Sequence, residues 1–102
     1  MQAYLYLGKF EYGVKKLMAS HEYVIESLAK MGVHCRQEWL TFSEYDYVVL
    51  VEAESELAVQ RSIVFAKEEF GITTTILRCF AGAEALEAVG GLEALASAAA
   101  PS

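Results

Sequence analysis

Two histidines set among apolar residues are the groups in this sequence best suited to chemistry. His21 lies four residues from both Leu17 and Ile25, so an amphipathic helix would place its ring on the apolar stripe of that helix. From there the imidazole can face a cavity between helix and sheet and act as an acid, a base or a ligand donor. A histidine at the core or helix edge, held by one hydrogen bond, is the structural alternative.

A second group of polar residues alternates along one predicted strand. His34, Arg36 and Glu38 are two residues apart, so they would share one face, and across a hairpin that face would also carry Tyr47, Val49 and Val51. Such a cluster can bind an anion and supply a base. Solvated charges that protect an edge strand from aggregation explain the same pattern. The catalytic candidates are therefore His21 and His34.

An aromatic and acidic pair falls on the opposite face of the same hairpin. Trp39 and Asp46, with Thr41, are close enough there for the indole N–H or the threonine hydroxyl to reach the carboxylate. A polar clasp that fixes the turn is one interpretation, and the wall of a small pocket is the other. The predicted ligand-binding residues are Tyr4, Tyr6, Trp39, Asp46 and Arg36.

Composition excludes several other classes of site. A net charge of −6 without a basic patch argues against nucleic acid and anionic membrane surfaces. Cys35 and Cys79 lack the CxxC spacing of a redox or zinc pair, and the two histidines lack acidic neighbours at ligand spacing. There is no glycine-rich phosphate loop and no nucleophile elbow. We expect no metal and no cofactor.

Hydrophobic periodicity predicts a β, α, β, β, α, β order. Strands are expected at residues 3–10, 33–42, 45–53 and 72–80, with a two-residue link at 43–44. Helices are expected at residues 12–31 and from the cap Ser55 to about residue 70, before Gly71. This α+β fold, of ferredoxin-like type, places strands one and three in the middle of a four-stranded antiparallel sheet, with both helices on one face. Residues 1–80 form the domain, and residues 81–102 form a short helix around 83–89 and a flexible acidic tail.

The central strands are apolar on both of their faces. Residues 47–51 are Tyr-Val-Val-Leu-Val, and the first strand carries Leu5 and Leu7 opposite Tyr4 and Tyr6. The face away from the helices would therefore expose an apolar patch that is unusual for a monomer. The sequence predicts that this face packs against a second copy, as a homodimer, with higher oligomers left open.

The sequence also resembles a known family over residues 3–80. The likeness lies in YLYLGKF at residues 4–10, GVK at 13–15, and WLT at 39–41 leading through Tyr45-Asp46 into VVLVEA at 48–53. These features are similar to the GYD-domain proteins, a branch of the ferredoxin-like dimeric α/β-barrel superfamily. Glu44 stands where that family has its name-giving glycine, and the first helix is about one turn shorter. The resemblance implies a dimeric barrel, and it implies no particular reaction.

Three functions follow from these observations. The first is a dimer that binds a small hydrophobic molecule in a mainly hydrophobic pocket. The second is a cofactor-free oxygenase or isomerase acting on a hydrophobic substrate, with His21 or His34 as general base. The third is a regulatory or scaffolding module that uses the dimer surface and the acidic tail. No apolar run is long enough to cross a membrane and no export signal is recognised, so we expect a cytoplasmic protein.

Overall fold

Two apolar strands form the middle of a four-stranded antiparallel sheet. The computed structural model describes residues 1–12 and 14–99 of the chain. Strands β1 (Gln2–Phe10) and β3 (Tyr47–Ala53) are central, while β2 (Val33–Leu40) and β4 (Ile72–Cys79) form the edges, in the order β2-β3-β1-β4. The prediction that the first and third strands lie in the middle is confirmed. Gly13 and residues 100–102, named in the predictions above, lie outside the described residues.

The first predicted helix is divided into two. Helix α1 (Val14–Ala19) and helix α2 (His21–Lys30) are separated by Ser20, which has φ −102° and ψ 1°. The Ser20 hydroxyl donates a hydrogen bond to the carbonyl of Lys16 at 3.2 Å, and its own carbonyl accepts one from the Val24 N–H. A serine that bonds to the preceding turn competes with regular helix formation. The single helix predicted for residues 12–31 was therefore wrong, and His21 is the first residue of a new helix.

One face of the sheet carries the core. Tyr4 and Tyr6 of β1 and Val49 and Val51 of β3 are buried against α2 and against helix α3 (Glu56–Phe70), in a cluster completed by Leu28, Val33, Ala53, Ala58 and Val59. A smaller cluster at the other end of β1 joins Phe10, Ala66 and Ile72. Both helices thus cover the same face, as the sequence predicted.

Helix α3 begins and ends at the predicted residues. The hydroxyl of Ser55 accepts a hydrogen bond from the Ala58 N–H at 3.1 Å, which satisfies one of the free donors of the first turn. Gly71 adopts the left-handed conformation, with φ 66°, and its N–H donates to the Lys67 carbonyl. The cap at Gly71 ends the helix directly before β4 begins at Ile72.

The opposite face of the sheet, called here the open face, is apolar. The register pairs Leu5 with Leu50 and Leu77, and Leu7 with Val48. Of the described residues, no helix packs along this face. The arrangement is an α+β fold compatible with a ferredoxin-like topology. In the described part of the chain, no helix is both long enough and apolar enough to span a bilayer.

The link between β2 and β3 is longer than the two residues predicted. It runs through residues 41–46, where the Thr41 N–H donates to the Asp46 carbonyl and the Asp46 N–H donates to the Gly8 carbonyl at 2.8 Å. Phe42 has a positive φ of 49°, which a non-glycine residue seldom adopts outside tight turns. The link is therefore tied to the end of β1.

The C-terminal helix is also longer than predicted. Helix α4 (Gly82–Ala99) continues through Gly90 and Gly91, where the sequence analysis expected it to end. The many alanine, leucine and glutamate residues outweigh a cost of about 1 kcal/mol for each interior glycine. Arg78 contacts Glu84 in the first turn of this helix, with 3.7 Å between Nη2 and Oε2. The same side chain also donates a hydrogen bond to the Ala3 carbonyl of β1.

Candidate functional site

An open cleft lies between α2 and the covered face of the sheet. Its volume is about 320 Å³, near the lower end of the roughly 300–1,000 Å³ found for small-molecule sites. Its inner walls are aliphatic and aromatic side chains from α2 and the three strands β1, β2 and β3. The lining residues used below are His21, Ile25, Cys35, Glu38, Tyr6 and Tyr47. No lysine or arginine lines the cleft among the described residues.

His21 and Glu38 form a close pair at the mouth of this cleft. The Nε2 atom of His21 lies 2.6 Å from Oε1 and 2.7 Å from Oε2 of Glu38, and the two side chains are 35% and 39% exposed. A carboxylate can only accept hydrogen bonds, so Nε2 carries the proton and donates it. In the neutral ring Nδ1 is then the acceptor, and no hydrogen bond joins it to the described residues, so it can accept a proton or a hydrogen bond from a ligand.

A β-bulge in β2 explains how Glu38 reaches the helix side of the sheet. The register pairs Cys35 with Val51 but Gln37 with Leu50, which leaves Arg36 as the extra residue. Beyond the bulge Glu38 pairs with Val49, whose side chain is in the core. If Arg36 took part in regular alternation after Cys35, the Glu38 carboxylate would turn to the open face.

The predicted cluster of His34, Arg36 and Glu38 on one face was therefore wrong. His34 pairs with Glu52 on the open face, and its Nε2 lies 3.6 Å from Oε1 of Glu54. Arg36 donates from Nε to Glu52 at 3.0 Å. The two catalytic candidates lie on opposite faces of the sheet, and only His21 lies at the cleft.

Two tyrosines form polar contacts around the cleft. The Ser62 hydroxyl donates to the Val59 carbonyl at 2.7 Å, so the Tyr6 hydroxyl donates to Ser62 Oγ at 2.8 Å. Burial raises the pKa of Tyr6 above its ordinary value, and the bond to Ser62 opposes that rise. The hydroxyls of this pair are therefore already engaged within the protein.

The second tyrosine, Tyr47, lies over the backbone of β1 at Gly8. A Cβ at Gly8 would come within 2.1 to 2.2 Å of carbon atoms of the Tyr47 ring, so only glycine allows this position of the ring. Burial raises the pKa of Tyr47 to about 12, with an opposing contribution from Thr74. At neutral pH Tyr47 is an uncharged part of the cleft wall.

Cys35 faces the same cleft, and its environment makes it a poor nucleophile. Burial, with a smaller contribution from the negative charge of Glu38, raises the pKa of the thiol from its usual 9.0 to about 11. Thiolate is the reactive form of cysteine, so a protonated thiol disfavours covalent chemistry here. The residue serves as part of the apolar wall.

The remaining predicted ligand-binding residues are dispersed. Tyr4 is buried in the core, and its hydroxyl donates to Gln2 at 2.7 Å, away from the cleft. Trp39 borders the cleft, but it pairs with Val48, so its 48% exposed side chain belongs to the open face. The Asp46 carboxylate accepts a hydrogen bond from the Phe10 N–H at 2.6 Å, and the clasp predicted with Trp39 or Thr41 was wrong.

Several residues of the cleft were not among the predicted ligand-binding residues, including Glu38, Tyr47 and Cys35. Glu38 was correctly predicted to share a face with Val49, but its pairing with His21 was not predicted. Tyr47 was predicted on that same face without a role in a pocket, and Cys35 was assigned only to a strand. The signal for both was present, because residues that alternate with Val49 and with Val33 must face the same helices.

Metal-ligating residues do not gather here. In residues 1–12 and 14–99 there is no group of three or more His, Cys, Asp or Glu side chains that could hold a metal ion. Comparison of the chain with protein-family models, curated proteins and solved structures found no match.

Proposed function

We propose that this chain is a GYD-like homodimeric protein that binds a small, mainly hydrophobic molecule in the cleft between α2 and the sheet. The observation that carries the proposal is the cleft itself, about 320 Å³ in volume, with the His21–Glu38 pair at its mouth. Binding sites for small molecules typically combine an apolar lining with a few polar groups that fix orientation. A solid core would instead have favoured a regulatory or scaffolding module.

The open face supports the dimeric part of the proposal. Leu5, Leu7, Val48, Leu50 and Leu77 form one contiguous apolar surface across three strands. The ion pairs Arg36–Glu52 and His34–Glu54 lie at one side of it and could form a polar rim. The occupant that we propose is a second copy, because a symmetric contact buries the same surface on both chains. Two sheets would then pack face to face, as the resemblance to GYD-domain proteins implies.

The His21–Glu38 pair favours one second candidate, a cofactor-free isomerase or oxygenase acting on a hydrophobic substrate. The carboxylate orients the ring and holds the proton on Nε2, which is the role of the acidic member in other histidine dyads. Nδ1 of His21 would accept a proton from the substrate. His34 has no part in this candidate, because it lies on the open face.

The binding proposal is tested by filling the cleft. Ile25→Trp places a large side chain in the cleft, whereas Ala29→Trp adds the same side chain to an exposed position of α2. Equilibrium dialysis against 2-methoxynaphthalene, followed by its fluorescence, should show binding to the parent chain and to Ala29→Trp, and loss of binding in Ile25→Trp. Native mass spectrometry of the purified parent chain would identify a co-purified ligand.

Two results would argue against the proposal. The first is equal binding by both tryptophan variants, which would place the probe outside the cleft. The second is a lack of binding to the parent chain by this probe and by its hydroxyl analogue 2-naphthol. Circular dichroism of both variants establishes that each is folded before the dialysis is interpreted.

A further inference from the structure

The polar groups of the cleft differ in whether they are available to a ligand. The hydroxyl of Tyr6 donates to Ser62, and Ser62 in turn donates to Val59. The Cys35 thiol is a weak hydrogen-bonding group. In the described part of the cleft, the one strong acceptor nitrogen without a protein partner is therefore Nδ1 of His21, since Glu38 engages Nε2.

The position of the His21–Glu38 pair at the mouth of the cleft determines how a ligand would be oriented. His21 and Glu38 are more than one third exposed, while Val49 and Val51, deeper in the cleft, are 8% and 0% exposed. Burying an unpaired polar group costs about 1–3 kcal/mol. A ligand would therefore keep its polar group at the mouth and place an apolar body against the sheet.

The charges around the cleft restrict the ligand further. Without a lysine or arginine among the described lining residues, a carboxylate or phosphate would find no counter-charge there. Glu38 also repels negative charge in the cleft, since it contributes to keeping the Cys35 thiol protonated. A cation is not excluded in this way, because the Glu38 carboxylate would attract it.

We infer that the cleft selects a ligand without negative charge that has an apolar body and one hydrogen-bond donor, an alcohol or phenol O–H or an amide N–H, which donates to Nδ1 of His21. This inference depends on the proposed function, because it names the ligand class of the same cleft. Glu38 acts as a positioning residue by holding the proton on Nε2. His21 is the residue that contacts the ligand.

The test uses four probes with the same naphthalene body. They are 2-naphthol, which has the donor, 2-methoxynaphthalene, which lacks it, 2-naphthoate, which is an anion, and 2-naphthylmethylammonium, which is a cation. A hydrogen bond contributes about 0.5–1.5 kcal/mol, so 2-naphthol should bind about 2- to 12-fold more tightly than its methyl ether at neutral pH. The anion should bind more weakly than 2-naphthol, and the cation, which also carries N–H donors, should bind at least as tightly as the methyl ether.

Two histidine variants test whether the preference for 2-naphthol over its methyl ether depends on His21. His21→Phe keeps a flat ring but removes the acceptor, so the two neutral probes should bind to it equally. His34→Phe changes the other histidine, on the open face, and should keep the preference of the parent chain. Glu38→Gln should reduce the preference, and long-range ¹H–¹⁵N spectra should then show both tautomers of His21, because the ring nitrogens would no longer be held in one tautomer.

The possible outcomes distinguish a failure of this inference from a failure of the proposed function. Equal affinity of the parent chain for 2-naphthol and its methyl ether, or tightest binding of the anion, would overturn the inference while leaving the cleft as a binding site. A preference that survives in His21→Phe would also overturn it. No binding of any of the four probes would overturn both the inference and the proposed function.

Discussion

The carboxylate of Glu38 engages a single nitrogen of His21 through both of its oxygens, at 2.6 and 2.7 Å. The contact joins the first residue of α2 to the strand beyond the bulge, across the mouth of the cleft. It therefore fixes both the orientation of the imidazole ring and the nitrogen that carries its proton.

The first prediction concerns this tautomer. Glu38→Gln should allow neutral His21 to populate both tautomers, because an amide can donate as well as accept. Long-range ¹H–¹⁵N spectra of the imidazole report the protonated nitrogen directly. Since the pair is exposed, the free energy of unfolding should change by less than about 1 kcal/mol. The matched control is Glu54→Gln beside His34, which should leave the His21 spectrum unchanged.

The second prediction concerns stability at alkaline pH. The pKa of Cys35 in the folded chain is about 11 against the usual 9.0, so the unfolded chain releases its proton first as the pH rises. The folded chain binds more protons in that interval, and stability falls as the pH increases from 9.0 towards 11. Tyr47 adds a similar loss between 10.0 and about 12. Urea unfolding across this range measures the slope.

A cysteine variant separates the two contributions. Cys35→Ala should make the dependence on pH shallower between 9.0 and 11, leaving the part due to Tyr47. Cys79→Ala removes the other thiol and should retain the Cys35 contribution. An identical slope in the parent chain and Cys35→Ala would contradict this assignment.

The third prediction concerns the close approach of Tyr47 to β1. Gly8→Ala would place a methyl group about 2 Å from the Tyr47 ring, so the ring and the cleft wall must shift. Overpacking of this kind costs about 1–3 kcal/mol in the free energy of unfolding. Urea denaturation measures it. Gly90→Ala, where an added Cβ meets nothing within 4 Å, is the control and should not destabilise the sheet.

The fourth prediction distinguishes the two faces of β3. Val48→Asp changes the open face and should dissociate the proposed dimer while the monomer stays folded. Val49→Asp places a charge in the core and should cost more than about 3 kcal/mol, a large part of the roughly 5–15 kcal/mol that stabilises a typical domain. Sedimentation in dilute solution and circular dichroism separate the two effects. A parent chain that sediments as a monomer would refute the dimer.

The sequence was sufficient for the parts of the fold that repeat a simple pattern. Five apolar residues in a row at 47–51 identified a central strand, and the spacing around His21 placed its ring on the stripe that borders the cleft. Ser55 and Gly71 marked the ends of α3 because caps depend on local chemistry. These features required no knowledge of distant contacts.

The missed features depend on contacts between distant residues. Neither a glycine nor a proline marks the bulge at Arg36, so the change of face at Glu38 could not be read from alternation. Asp46 accepts from the Phe10 N–H, a partner 36 residues away in sequence. The division of the first helix at Ser20 also escaped, because serine has only a modest effect on helix propensity.

The extra residue at Arg36 lets one short edge strand serve two surfaces that are never in contact. Its first half supplies His34 to the open face, and its second half supplies Glu38 to the cleft. If the strand kept all of its residues but lost the bulge, regular alternation would turn the Glu38 carboxylate out of the cleft and onto the apolar surface. Ligand recognition and self-association would then fail together, so the bulge is under a constraint that neither surface would impose alone.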